Sequence, residues 1–173
     1  DLNGIGRLED RLRKSAISGG ADWRLKFKQG LYELYGHSGF SHIRGSKSAI
    51  RRAQQSSARY FQRPDADYIK FDSTRTSLTG YASQIGLKKS GGKHWVWDLS
   101  FNAESPNFEL NDAGVLGQAD DLDGSMYVGY QENKPGKVLR NYYVEAFGYA
   151  NWNYGGNRQF SEVGLFSEFT LRN

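Results

Sequence analysis

From Lys93 to Asn102 the chain alternates with a period of two. Trp95, Trp97, Leu99 and Phe101 share one parity, and His94, Asp98, Ser100 and Asn102 share the other. Successive side chains of a β-strand point to opposite faces, so this segment presents one aromatic-apolar face and one polar face. The apolar face must meet either a protein core or lipid. In the first case the strand belongs to a soluble sheet, and in the second its polar face lines the lumen of a membrane barrel.

Six further segments alternate in the same way, separated by turn residues. They cover 21–29, 31–43, 77–88, 121–131, 138–152 and 158–172. Asn133-Lys134-Pro135-Gly136 joins two of them, with proline presetting φ and glycine tolerating a positive φ. The fold class expected is all-β: an antiparallel up-and-down meander of about seven long strands, with one short helix in a long loop. The connections sort by length. Short turns follow the first, third and fifth strands, while long loops at 44–76 and 103–120 follow the second and fourth. Short turns at one end and long loops at the other is the layout of an outer-membrane β-barrel. The turn at Tyr154–Asn157 is short where that rule predicts a long loop. Residues 1–20 read as a loop or N-terminal extension and 21–173 as the barrel segment.

Composition agrees with the membrane alternative. No run approaches the roughly 18 apolar residues of a spanning helix, and mean hydropathy is −0.71. Aromatics nevertheless make up 14% of the chain, with 21 glycines, a bias that follows when only alternate residues need be apolar. Most segments reach the roughly 9–11 residues that a tilted membrane strand requires. The absence of cysteine removes disulfide frameworks and Cys-based zinc sites. A net charge of +4 is too diffuse to indicate nucleic-acid binding. On the barrel reading Trp23, Leu25, Phe27, Tyr81, Trp95, Trp97, Leu99, Phe101, Val163 and Leu165 face lipid. Arg24, Lys26, Asp98, Glu145, Glu162 and Glu168 face the lumen, as do Lys28 and Glu33, where opposite charges on neighbouring strands pair across the ladder. Conventional bacterial barrels have an even number of strands, and the chain ends Phe169-Thr170-Leu171-Arg172-Asn173 without a terminal aromatic. Both features are those expected of a piece of a larger barrel.

Residues able to carry chemistry are few. Ile50, Ala53, Ser57 and Phe61 share one helical face, which predicts a short surface helix ending before Pro64. Arg51, Arg52, Arg59 and Arg63 make that segment basic. They are candidates for contact with acidic glycans or phosphates, against the simpler reading of a solvated helix paired with Asp65, Asp67 and Asp72. Asp120, Asp121 and Asp123 are candidate surface ligands, although the segment lacks EF-hand spacing and reads better as an acidic rim than as a calcium site. Ser38 lacks the second glycine and the strand-to-helix turn of a nucleophile elbow. No catalytic residue, cofactor or metal ligand is assigned.

Two blocks resemble a known family. One is Ser56-Ser57-Ala58-Arg59-Tyr60-Phe61-Gln62-Arg63-Pro64-Asp65-Ala66-Asp67 with Asp72-Ser73-Thr74-Arg75-Thr76-Ser77-Leu78-Thr79-Gly80. The other is Ser105-Pro106-Asn107-Phe108-Glu109-Leu110-Asn111-Asp112-Ala113-Gly114-Val115-Leu116. They are similar to the domain of unknown function 5916, the C-terminal domain of large bacterial outer-membrane proteins whose N-terminal part resembles family-nine-type carbohydrate-binding modules. The resemblance runs from about Gly19 to the C-terminus. It implies a barrel-like domain in the bacterial outer membrane, several times longer than this chain and sometimes labelled a membrane-associated hydrolase, with no catalytic residues to transfer. The expected function is therefore a non-catalytic segment of an outer-membrane barrel in surface glycan or nutrient handling. Its expected partners are outer-membrane lipid, glycans and the remainder of a larger barrel chain, and not nucleic acid. The alternatives are a soluble β-sandwich binding carbohydrate through Tyr60, Phe61, Trp152 and Tyr154, and a membrane-associated hydrolase.

Overall fold

A computed structural model describes residues 10 and 12–172. The part of the expected N-terminal extension that spans 1–9 lies outside the described residues. Seven strands form one sheet in the order β1-β2-β3-β4-β5-β6-β7. They are β1 (Arg13–Phe27), β2 (Tyr32–Gly45), β3 (Ser77–Lys89), β4 (Trp95–Glu104), β5 (Asp121–Glu132), β6 (Leu139–Trp152) and β7 (Arg158–Leu171), with a helix, α1 (Lys47–Gln54), after β2. Every neighbouring pair is antiparallel. The meander and its short helix are as the alternation predicts. Among the described residues the sheet is single, so the two packed layers of a β-sandwich are not formed there.

Strand one departs from expectation by starting at Arg13 rather than Ala21. Ser15 to Gly20 is small and polar with little apolar alternation, and that hides a strand from a pattern reading. From Ser15 onward, past a register shift after Arg13, its pairing is nevertheless continuous, with Ile17 opposite His42 and Gly19 opposite Phe40.

Register fixes two faces. Leu25, Leu34, Leu87, Leu99 and Met126 lie in one row across β1–β5, each directly opposite the next. The row continues through Gly148 and Val163. Among the described residues nothing covers this outer face: Leu25, Leu99, Met126, Val163 and Leu165 are all more than half exposed. Trp23 and Trp97 are half-buried. Trp23 lies flat over Gly36, where an added Cβ would come within 2.5 Å of its ring. The opposite, inner parity is mostly polar, with Ile43 and Leu78 at one end and Val96, Phe147, Phe160 and Phe166 as further apolar members. The sheet thus inverts the soluble arrangement, in which the apolar side of a strand is the covered side.

At the short-turn end the outer face carries a ladder of rings. Phe27 stacks on Tyr32 at 5.6 Å, and Tyr32 meets Trp97 at 6.1 Å. Trp95 meets Tyr130 edge-on at 5.1 Å, and Tyr130 stacks on Tyr142 and Tyr142 on Phe169 at 6.1 and 6.3 Å. On the inner face, aromatic side chains of one strand cover glycines of the next. A Cβ on Gly86 would meet Tyr35 at 2.2 Å, on Gly129 Tyr143 at 2.4 Å, and on Gly164 Phe147 at 2.3 Å. Glycine on the concave side lets a sheet bend, and the overlying ring restores the lost packing.

The remaining chain folds back over one end of the inner face as a plug. Ile43 and Leu78 of β2 and β3 form a small core with Ile50, Ala53 and Phe61. Helix α1 begins at an N-cap, Ser46, whose Oγ accepts the Ala49 N–H at 3.1 Å. It ends at Gln54, earlier than the periodicity predicts, because the Ser56 hydroxyl donates to the Ala53 carbonyl and Tyr60 turns to a positive φ of 41°. The residues placed on its apolar face do pack inward, except Ser57, which falls in the turn and is exposed.

Candidate functional site

The inner wall and its plug are where side chains of different strands converge. Glu33 on β2 is buried and held by three cations: Arg24 Nε at 3.0 Å, Lys88 Nζ at 3.2 Å and Lys26 Nζ at 3.8 Å. Arg24 and Lys26 come from β1 and Lys88 from β3, so the cross-strand charge pairing expected of lumen residues is realised on both sides of β2. Lys88 also lies over the Tyr35 ring at 5.1 Å. Tyr35 donates its hydroxyl to Asp98 at 2.8 Å.

Beyond Asp98 the wall turns acidic and hydroxylic. Tyr143 donates to Glu145. Ser100 and Ser125 share a hydrogen bond of 2.8 Å. Asn102 donates to Asp123 at 2.8 Å and Asn151 to Asp121 at 2.7 Å. Asp98 and Glu145 are therefore partly buried and partnered, whereas Glu162 and Glu168 on β7 are exposed. All six residues expected to face the lumen share this inner parity, as register requires. Lys28 does not: it lies in the turn after β1, over the Tyr32 ring at 5.6 Å.

The plug is held by buried charge. The Arg59 side chain is fully buried and donates to the Ala53 carbonyl at 2.9 Å, to Glu109 Oε2 at 2.6 Å and to the Phe108 carbonyl. Arg13 of β1 reaches the same carboxylate at 2.9 Å. Burial opposes ionisation of Glu109, but Arg59, the Asn111 N–H and Arg13 together outweigh it, so its carboxyl sits below the ordinary glutamate range. A second lock joins Arg63 and the Tyr68 hydroxyl to Asp120, whose other oxygen accepts the Tyr154 N–H at 3.1 Å. Gln54 acts as a surrogate strand, donating to the Asp72 carbonyl and accepting the Asp72 N–H, both at 2.9 Å.

Of the residues singled out as surface ligands, only some lie on the surface. Arg51 and Arg52 are exposed on α1. Arg59 and Asp120 are 1% exposed and consumed by the plug. Arg63 is half-buried, pairing with Asp65 at 3.3 Å as well as with Asp120. Asp72 takes its ordered partners from Thr74, whose hydroxyl and N–H donate to it and hold its carboxyl low. Asp121 and Asp123 belong to the inner wall. Among the described residues no three His, Asp or Glu side chains gather tightly enough to hold a metal ion. The aromatic platform of the sandwich alternative is not assembled either, since Phe61 is buried at 3% and Tyr154 hydrogen-bonds the Tyr81 hydroxyl at 3.2 Å.

Sequence reasoning missed the pairing of Arg59 with Glu109. The available signal was that these residues fall one in each of the two family-like blocks. It also missed a cleft of about 350 Å³ beneath the plug, lined by Asp22, His37, Ser38, Glu104, Phe108 and Leu110. The cleft opens on the inner face, offering carboxylates and an imidazole to a polar solute.

The family described as "Domain of unknown function (DUF5916)" matches residues 9–173. No curated protein and no solved structure matches significantly.

Proposed function

The chain belongs to the DUF5916 family, and we propose that it forms a section of the wall of a bacterial outer-membrane β-barrel, with a polar inner surface capped at its long-loop end by the plug. One observation carries this reading: the uncovered outer face of the sheet is the apolar one, and the ion pairs lie on the opposite face. In water that arrangement would leave a continuous sheet of Leu, Met, Val and aromatic side chains unshielded, far beyond the patches that soluble proteins tolerate. In lipid it is the expected order. The dimensions support it. Tyr32 to Phe40 on the outer face of β2 spans about 27 Å along the strand, and at a tilt of about 40° this is about 21 Å along the membrane normal, close to the apolar band of known barrels. The ring ladder from Phe27 to Phe169 then sits at one membrane surface, and Phe40, Tyr81 and Trp152 lie toward the other.

The wall is non-catalytic on this reading. Its carboxylates, hydroxyls and amides suit contact with polar, hydroxyl-rich solutes such as glycans, and the cleft beneath the plug is where such a solute would meet the most side chains. The test is lipid exposure. In vesicles carrying brominated acyl chains, Trp95 and Trp97 fluorescence is quenched, whereas a folded, monodisperse protein in detergent-free buffer with both indoles shielded refutes the reading.

A further inference from the structure

The edge strand β7 leaves two inner-wall acids without partners. On β2 to β6 the inner acids Glu33, Asp98, Asp121, Asp123 and Glu145 each hold a hydrogen-bond or ionic partner, and the one exception is Glu104 at the plug end. For Glu33, Asp121 and Asp123 the partner comes from a neighbouring strand, and for Asp98 it is Tyr35 of β2, reaching across β3. Glu162 and Glu168 share that inner parity, opposite Tyr149 and Tyr143, and are exposed. Neither takes part in an ion pair among the described residues. Register also places no Lys or Arg on the inner parity of β4 to β7, so nothing already in this half of the wall offsets them.

The backbone tells the same story. Among the described residues the side of β7 away from β6 is unpaired over the whole 14-residue strand. An open edge at membrane depth is untenable, because lipid offers its N–H and C=O groups no partner. The inference therefore rests on the membrane reading above.

We propose that the free edge of β7 receives an antiparallel strand of different sequence, alternating apolar outward residues with inward residues that include two basic side chains six positions apart, set against Glu162 and Glu168. The even spacing keeps both cations on one face, about 20 Å apart along the strand. A second copy of this chain does not supply that strand. Its β1 edge carries cations on the inner parity, but β1 and β7 run in the same direction in a seven-strand meander, so copies inserted the same way could join only in parallel. Two β7 edges pairing antiparallel would insert the two copies in opposite orientations and set acid against acid.

The test uses the full chain folded in lipid vesicles and a fluorescent ten-residue peptide that alternates valine with polar residues, lysine standing at two polar positions six apart. We expect it to bind at least tenfold more tightly than the same peptide with glutamate at those positions. The double variant Glu162→Lys with Glu168→Lys, on an exposed edge where folding is not at stake, should reverse the preference. Pairing direction is read by disulfide trapping between Ser167→Cys and a cysteine at either end of the peptide. Equal affinity for both peptides, parallel trapping, or self-association through β7 that excludes the peptide overturns the proposal. Quenching of Trp95 by brominated lipid in the same vesicles separates the outcomes: quenching without peptide binding sinks the edge proposal alone, and absence of quenching sinks the membrane reading first.

Discussion

Leu99→Arg discriminates between lipid and water at the outer face more sharply than any other single change. Leu99 is 56% exposed and lies midway along β4, opposite Leu87 on one side and Met126 on the other. It makes few contacts that an arginine stem could not replace, so on a water-facing sheet the substitution would change stability by no more than about 0.5 kcal/mol. Its place in the row puts it near the middle of the apolar band, where a cation on the lipid face of a barrel costs about 2–4 kcal/mol. The same change at Phe169, in the ring ladder at the end of the band, should cost only about 0–1 kcal/mol beyond the stacking lost with Tyr142 at 6.3 Å. Lys89 already shows what this end tolerates: it sits on the outer parity opposite Trp97 and donates its ammonium to the Trp95 carbonyl at 2.8 Å. Urea titration in vesicles, followed by tryptophan fluorescence, measures both variants against the parent. Leu99→Arg within 0.5 kcal/mol of the parent, or no difference between the two depths, would refute the assignment of this face to lipid.

Two further outcomes concern the interior. Arg59→Met removes the fully buried cation paired with Glu109 and leaves the Phe108 carbonyl without its donor, at an expected cost of about 3–5 kcal/mol. The loss should be confined to the plug, read as faster hydrogen exchange at Ala119, whose N–H bonds the Ala58 carbonyl at 2.7 Å. Because the Glu109 carboxyl is lowered in the folded protein, its contribution is complete at neutral pH. That contribution wanes as pH falls below the ordinary 4.5 and through the lower folded value, so in the parent Ala119 exchange corrected for intrinsic rate rises in acid, and in Arg59→Met this acid dependence is blunted. Gly86→Ala drives a methyl against Tyr35 at 2.2 Å and displaces its hydroxyl from Asp98. A cost of about 1–3 kcal/mol is expected, and combining it with Tyr35→Ala should cost less than the two singles summed, a non-additivity that a double-mutant cycle measures.

The wall was legible because it depends on parity alone. Trp95, Trp97, Leu99 and Phe101 need only be apolar and alternate for their face to be assigned, and the turn residues mark the strand ends from β2 onward to within a few positions. Strand β1 escaped at its start because Ser15–Gly20 owes its place to backbone pairing with β2 and not to a side-chain pattern. The plug was illegible for a different reason. Arg59 and Glu109 are ordinary charged residues in polar, turn-rich surroundings, and that context reads as a solvated surface. Only when β2 and β3 bring the two loops together does each find its partner, and then the pair is buried. Asp120 shows the same inversion, since its positive φ of 63° and its contact with Arg63 both follow from closure of the loop over the inner face.

That contrast bears on where the specificity of this protein lies. On the membrane reading the sheet accepts any apolar side chain outward and most polar ones inward, so its sequence carries little information beyond alternation. The plug cannot be rebuilt from arbitrary residues: Arg59 must reach two carbonyls and a carboxylate at once, Gln54 must match both backbone groups of Asp72, and Asp120 must serve Arg63, Tyr68 and the Tyr154 N–H together. The two blocks by which the chain resembles its family map mostly onto this structure, with Ser77–Gly80 alone entering a strand, β3. The plug in turn sets the shape of the cleft between Asp22, His37 and Glu104 by placing Phe108 and Leu110 over it. Variation that changes what the protein binds should therefore be sought in the loops after β2 and β4, with the sheet serving to hold them over one end of its inner face.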